Sequence, residues 1–145
     1  MISIINIFKG KVKNPFDLVY KEPDYKVKLF SDNTGVLTIN YYYKRNMFSK
    51  AFDKSLRKFL KVREINTKDA FDYSAKYEIE RDEKSEFLFK RIEKSVKSSI
   101  DNIEYQLVLD NAIQKFTYYS IEGMIIEDKT DFVKVSVIVQ VLWIK

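Results

Sequence analysis

The spacing of apolar residues changes period several times along the chain, and each change marks an element. From Phe132 to Ile144, Val133, Val135, Val137, Val139, Val141 and Trp143 take every odd position. A period of two predicts a strand with one face toward a core. Ala70–Glu80 repeats the pattern, with Phe71, Tyr73, Ala75, Tyr77 and Ile79 separated by polar residues. Tyr25–Phe30 and Val36–Tyr43 read as two strands of a hairpin. Between them lies Ser31-Asp32-Asn33-Thr34-Gly35, where Asp and Asn tolerate turn geometry and Gly35 would supply positive φ. Met1–Phe8 reads as a short first strand, and Phe16–Tyr20 as another that Pro23 would end. Ile103, Tyr105, Leu107 and Leu109 alternate too, and Phe116–Ile126 is rich in β-formers, with Gly123 placed for a bulge.

Two segments carry the helical period. Phe48, Phe52, Leu56, Phe59 and Leu60 fall on one face of a helix over Met47–Arg63, with Asn46 as its N-cap. Leu88, Ile92, Val96, Ser99, Ile100 and Ile103 form the inner stripe of a second helix over Asp82–Asn102. Asp82 and Glu83 suit the positive end of its dipole, and Asp101-Asn102 would close it. Several hairpins with two helices imply an α+β fold. The expectation is a mostly antiparallel β-sheet with two amphipathic helices, about 47–63 and 82–102, packed on one face. No repeat, low-complexity tract or linker divides residues 1–145, so a single domain is expected.

Composition narrows the chemistry. Ten Tyr and eleven Phe supply the contact area of a real core. With no Cys, a disulfide framework, a thiolate metal site and a Cys nucleophile are excluded. With no His, the commonest general base and zinc ligand are missing. The three glycines, Gly10, Gly35 and Gly123, are too far apart for a phosphate-cradling loop. Met1–Phe8 is apolar but has no basic residue before it and is short for a signal peptide. Phe132–Ile144 is interrupted by Lys134, Ser136 and Gln140 and is shorter than the roughly 20 residues a membrane helix needs. A cytoplasmic protein is therefore expected. The abundance of Lys, Asn, Ile and Tyr fits an AT-rich viral or phage genome, in which case the protein would be virion-associated.

Charge is unevenly spread. Lys44–Arg63 holds eight of the 26 cations and one of the 21 acids, Asp53, so the remainder is close to neutral. On a helix, Lys50, Lys54, Arg57, Lys58 and Lys61 would cluster opposite the Phe48/Phe52/Leu56/Phe59 stripe. Like charges at i,i+4 cost roughly 0.2–0.5 kcal/mol per pair, a cost that an external polyanion would relieve. Tyr41, Tyr42 and Tyr43 precede this helix, and at least one ring could be free to stack on a base. Such a face would dock an acidic protein surface, bind nucleic-acid phosphates, or remain a solvated face. A membrane partner is disfavoured, because the helix's apolar side is needed by the sheet.

The terminal strand would span roughly 43 Å at about 3.3 Å per residue, so it must bend, meet a bulge, or project from its domain. Its second face is apolar near the end, with Ile138, Leu142 and Ile144. That pattern marks either a central strand in a covered sheet or a contact with another copy, anchored by Trp143.

Catalytic patterns are weak. Ser55-Leu56-Arg57-Lys58 matches Ser-x-x-Lys without its companion motifs. Asp24 with Glu127-Asp128-Lys129 loosely matches a metal-dependent nuclease, but the triplet falls in an expected turn. Glu78, Glu80, Asp82, Glu83 and Glu86 lack a Gly-bearing ligand loop and read as a solvated acidic edge. No catalytic residue, cofactor or metal is predicted. The expected function is a non-enzymatic interaction or assembly subunit, self-associating through Ile138, Leu142, Trp143 and Ile144 and docking an acidic partner through the basic helix. The alternative is a nucleic-acid-binding module built from that helix and the adjacent tyrosines.

Overall fold

The computed structural model describes residues 19–44, 63–67, 74–129 and 131–145. Its elements follow the chain as strands β1 (Val19–Leu29), β2 (Thr34–Lys44), β3 (Arg63–Thr67) and β4 (Ser74–Glu80), helix α1 (Glu86–Leu109), and strands β5 (Lys115–Asp128) and β6 (Phe132–Ile144). The six strands form one sheet in the order β1-β2-β6-β5-β4-β3, and every neighbouring pair is antiparallel.

β6 is the centre of this architecture. Its odd-numbered valines, Val133 to Val141, are at most 2% exposed, and Leu37, Ile39, Tyr41 and Tyr43 of β2 join them on the same face. The inner stripe of α1, from Leu88 through Ile103, packs against this face. Ile121, Met124 and Ile126 of β5 join the same cluster, and each fully buried aliphatic chain in it contributes about 1.5–3 kcal/mol.

Among the described residues the α+β expectation therefore stands, as an antiparallel sheet with one helix. The second helix expected on the same face, Met47–Arg63, lies outside the described residues except for Arg63, which opens β3. The expected strand Met1–Phe8 also lies outside them, as do Phe71 and Tyr73 of the Ala70–Glu80 stretch. β3 had no counterpart in the sequence reading, because Arg-Glu-Ile-Asn-Thr holds a single apolar residue and shows no period.

Several boundaries differ for identifiable reasons. α1 starts at Glu86 rather than Asp82, since Asp82 and Ser85 form a reciprocal turn. Asp82 Oδ1 accepts from the Ser85 amide, and Ser85 Oγ accepts from the Asp82 amide, each at 2.9 Å. The helix also runs past Asn102 to Leu109, so the strand expected from Ile103, Tyr105, Leu107 and Leu109 is helical. Ile103 and Leu107 continue the inner stripe, whereas Tyr105 and Leu109 are exposed. Two overlapping periods were present there, and burial follows the helical one. Asn111, at φ 59°, supplies the left-handed residue that ends α1.

Pro23 does not end a strand. β1 runs through it at the sheet edge, with register shifts between Val19 and Lys21 and between Lys21 and Asp24. The β1–β2 turn is Phe30–Asn33, with the Phe30 amide donating to Thr34 O at 2.9 Å and the Asn33 amide to Phe30 O at 3.2 Å. Asn33, at φ 65°, takes the left-handed position assigned to Gly35. Gly35 instead lies within β2, where a Cβ would sit 2.9 Å from Lys28 O and 3.0 Å from both Leu29 Cδ2 and Val141 Cγ2. A bulge does occur beside Gly123, and a second lies between Phe116 and Tyr118. Both put an extra residue in β5, which lets that strand follow β6 along its length.

Candidate interaction surfaces

Strand alternation divides the sheet into a face under α1 and an outer face. Among the described residues, no helix packs on the outer face. At one end of that face the side chains are polar and engaged with one another. Asp24 accepts hydrogen bonds from Tyr42 Oη at 2.6 Å and Asn40 Nδ2 at 2.7 Å, and Ser136 Oγ donates to Asn40 Oδ1 at 2.7 Å. The Lys21 ammonium sits 4.2 Å from the Tyr42 ring centre, and Phe132 meets the Tyr42 ring edge-on and the Tyr20 ring in a stack. This network ties the irregular start of β1 to β2 and β6.

The electrostatics of the network are those of a structural clasp. Partial burial works to raise the Asp24 carboxyl. The hydrogen bonds from Tyr42 and Asn40 and the charges of Lys134 and Lys21 overcome it and hold the group below its ordinary value. Tyr42 is pushed up to about 12, first by burial and then by its bond to Asp24. The carboxylate stays ionised and the phenol stays neutral near pH 7, so neither is poised for proton transfer there.

The opposite end of the outer face is apolar. Phe30, Val36, Tyr118, Gln140 and Leu142 surround a cleft of about 300 Å³, whose lining includes no charged residue. Leu142 is 44% exposed, Phe30 46% and Tyr118 60%. The bulge between Phe116 and Tyr118 sets this surface, because Tyr118 pairs with Leu142 and shares its face.

The residues singled out from sequence are placed unequally. Ile138 and Ile144 are half-buried and Leu142 exposed, all on the outer face. Trp143 points to the other side, where its Nε1 donates to Thr34 O at 2.7 Å. Its backbone amide and carbonyl bond Asn33 O and Asn33 Nδ2, each at 3.0 Å. It clasps the β1–β2 turn instead of standing free as an anchor. β6 pairs with β2 on one edge and β5 on the other, so β-addition along its edge is closed and only its outer face can meet another chain. Tyr41, Tyr42 and Tyr43 are 6%, 7% and 2% exposed, which leaves no ring of the three free to stack on a base. Lys50, Lys54, Arg57, Lys58 and Lys61 lie outside the described residues, as does Ser55 of the Ser-x-x-Lys pattern.

The acidic constellations are not assembled. β2 and β6 separate β1, carrying Asp24, from β5, carrying Glu127. Glu86 binds Arg81 at 2.7 and 2.9 Å, and Asp82 is engaged with Ser85. Among the described residues, no group of three or more carboxylates is placed to hold a metal ion. Phe30 and Tyr118 were not among the interaction residues expected from sequence: one sits at a turn, and the other's facing depends on a bulge.

On the other side of β1, a groove of about 570 Å³ runs between that strand and α1. Val19, Pro23 and Tyr25 form one wall, and Lys94, Ser95 and Ser98 the other. At its floor Tyr41 Oη and Ser99 Oγ are hydrogen-bonded at 2.8 Å. Burial raises the Tyr41 phenol far above its ordinary value. No known protein family, curated protein or solved structure matches the chain.

Proposed function

We propose that this chain is a non-enzymatic assembly domain whose copies associate through the outer face of the sheet, centred on Leu142. The observation that carries this reading is the uncharged cleft bounded by Phe30, Val36, Tyr118 and Leu142, open on a face that no described helix covers. Exposed aromatic and aliphatic side chains gathered in one patch mark an interaction site more than scattered ones do.

A second copy is the occupant that fits. The protein carries a net charge of +5, so like copies repel in general. The cleft itself has no charged lining, so its apolar side chains can meet a second copy directly, while Lys28 opposite Val36 and Lys115 opposite Ile144 stand at its border. Two sheets stacked face to face lie about 10 Å apart, which allows Leu142 and Tyr118 of each copy to interdigitate. A stable isologous contact needs on the order of 800 Å² per copy, so Ile138 and Ile144 would join the patch. The basic segment carrying Lys50, Lys54, Arg57, Lys58 and Lys61 remains, in this proposal, a second surface for an acidic protein partner. The nucleic-acid alternative is weakened by the burial of Tyr41, Tyr42 and Tyr43.

Sedimentation velocity across a concentration series tests the reading. Wild type should show reversible self-association, and Leu142→Glu should shift it to monomer by placing two carboxylates face to face. Wild type that remains monomeric at millimolar concentration refutes it.

A further inference from the structure

The outer edge of β1 is where the sheet order ends among the described residues. Its two halves differ. Val19–Asp24 is blunted by Pro23 and by two breaks in register, both recognised means of keeping an edge from pairing. From Asp24 to Leu29 the pairing with β2 is continuous, Tyr25 opposite Ile39 through Leu29 opposite Gly35. This half is a regular strand, and among the described residues no strand pairs with the other side of its backbone ladder.

The side chains of that half sort by face. Tyr25 and Val27 point to the α1 side, yet they are 38% and 36% exposed. Tyr25 also lines the groove between β1 and α1. Lys26 and Lys28, opposite Thr38 and Val36, point to the outer side and are exposed. The Asp24 carboxylate beside them is taken up by Tyr42 and Asn40.

We infer that Tyr25–Leu29 is a docking edge for an extended acidic peptide that adds to the sheet beside β1. An added strand lies about 4.8 Å from β1 and presents alternate side chains to the two faces. Apolar residues on one face pack beside the exposed Tyr25 and Val27, and acidic residues on the other meet Lys26 and Lys28. The same lysines select against a second copy, because an antiparallel β1–β1 pair would oppose cation to cation. They also deter apolar or basic strands, which gives the edge specificity as well as protection. This inference rests on β1 alone, so it and self-association through Leu142 can fail separately.

The test uses the full chain and two labelled eight-residue probes, one alternating Glu and Val, the other alternating Lys and Val. Fluorescence anisotropy at low salt measures binding, and amide hydrogen exchange locates it. The acidic probe should bind saturably and slow exchange within Tyr25–Leu29, and the basic probe should not. Lys26→Glu/Lys28→Glu should reverse the preference, with the acidic probe weakened at least about tenfold. Reversed preference also certifies that the variant is folded. If the double reversal does not fold, Lys26→Gln/Lys28→Gln should still weaken the acidic probe. Equal binding of both probes, no saturation by the acidic probe at millimolar concentration, or protection elsewhere than β1 overturns the inference.

Discussion

The hydrogen bond between Tyr41 and Ser99 joins the sheet to α1 at the floor of the groove, and its removal can be worked through in detail. Tyr41 is 6% exposed and Ser99 4%, and their oxygens lie 2.8 Å apart. Ser99→Ala leaves the Tyr41 hydroxyl buried without this partner, which costs about 1–2 kcal/mol. Tyr41→Phe strands a helical serine, but that hydroxyl can turn to the carbonyl one turn back, so the cost is smaller, about 0.5–1 kcal/mol. The double variant removes both polar groups and should lie close to the less affected single variant. The coupling should therefore be about 1–2 kcal/mol, the cost of Ser99→Ala. For a domain of this size, 1 kcal/mol shifts Tm by about 4 °C, within reach of calorimetry, and urea melts monitored by circular dichroism give the free energies directly. Strict additivity of the two single effects would refute the claim that the bond works across the core.

The remaining predictions concern other parts of the sheet. Gly35→Ala should cost about 1–3 kcal/mol by overpacking, because its Cβ meets the Lys28 backbone and Val141; a urea midpoint within error of wild type would contradict the packing described. Asp24→Ala should cost about 1–2 kcal/mol by leaving Tyr42 and Asn40 without their acceptor, again read from urea melts. The Asp24 carboxyl is lowered in the fold, so its contribution is present above the ordinary value of 3.8 and lost as pH falls through the lower folded value. An acid titration of stability should therefore be shallower in Asp24→Ala than in wild type. Tyr42 is raised, so its contribution is present below the ordinary value of 10.0 and is lost as pH rises toward about 12. Tyr42→Phe should flatten the alkaline loss of stability in that window.

How far the sequence foretold this structure depended on how many signals each segment carried. β6 was legible to the residue, since an unbroken period of two over its whole length admits one reading. The α1 stripe was legible but its end was not, because Ile103, Tyr105, Leu107 and Leu109 satisfy alternation while Ile103 and Leu107 also extend the helical stripe. Only the tertiary surface decides between those readings. Pro23 looked like a terminator because its position at a sheet edge is a property of strand order, which local pattern does not encode. Gly35 looked like the turn residue on propensity, whereas the chain uses Asn33 there and spends the glycine on a close strand contact. The outer-face patch was half legible. Ile138, Leu142 and Ile144 follow from alternation, Trp143 falls on the other face by the same rule, and Tyr118 joins only because a bulge reverses its facing. The burial of all three consecutive tyrosines could not be read from β2, since it needs α1 on one side and β1 with Phe132 on the other.

The absence of cysteine from the natural chain makes one measurement especially direct. Gln140→Cys places a single thiol on the outer face beside Leu142, and Tyr105→Cys places one on the exposed side of α1. Under mild oxidation at dilute concentration, assembly through the outer face predicts a covalent dimer from Gln140→Cys well ahead of Tyr105→Cys, suppressed when Leu142→Glu is added. Equal rates from the two positions, or no dimer from either, would contradict it.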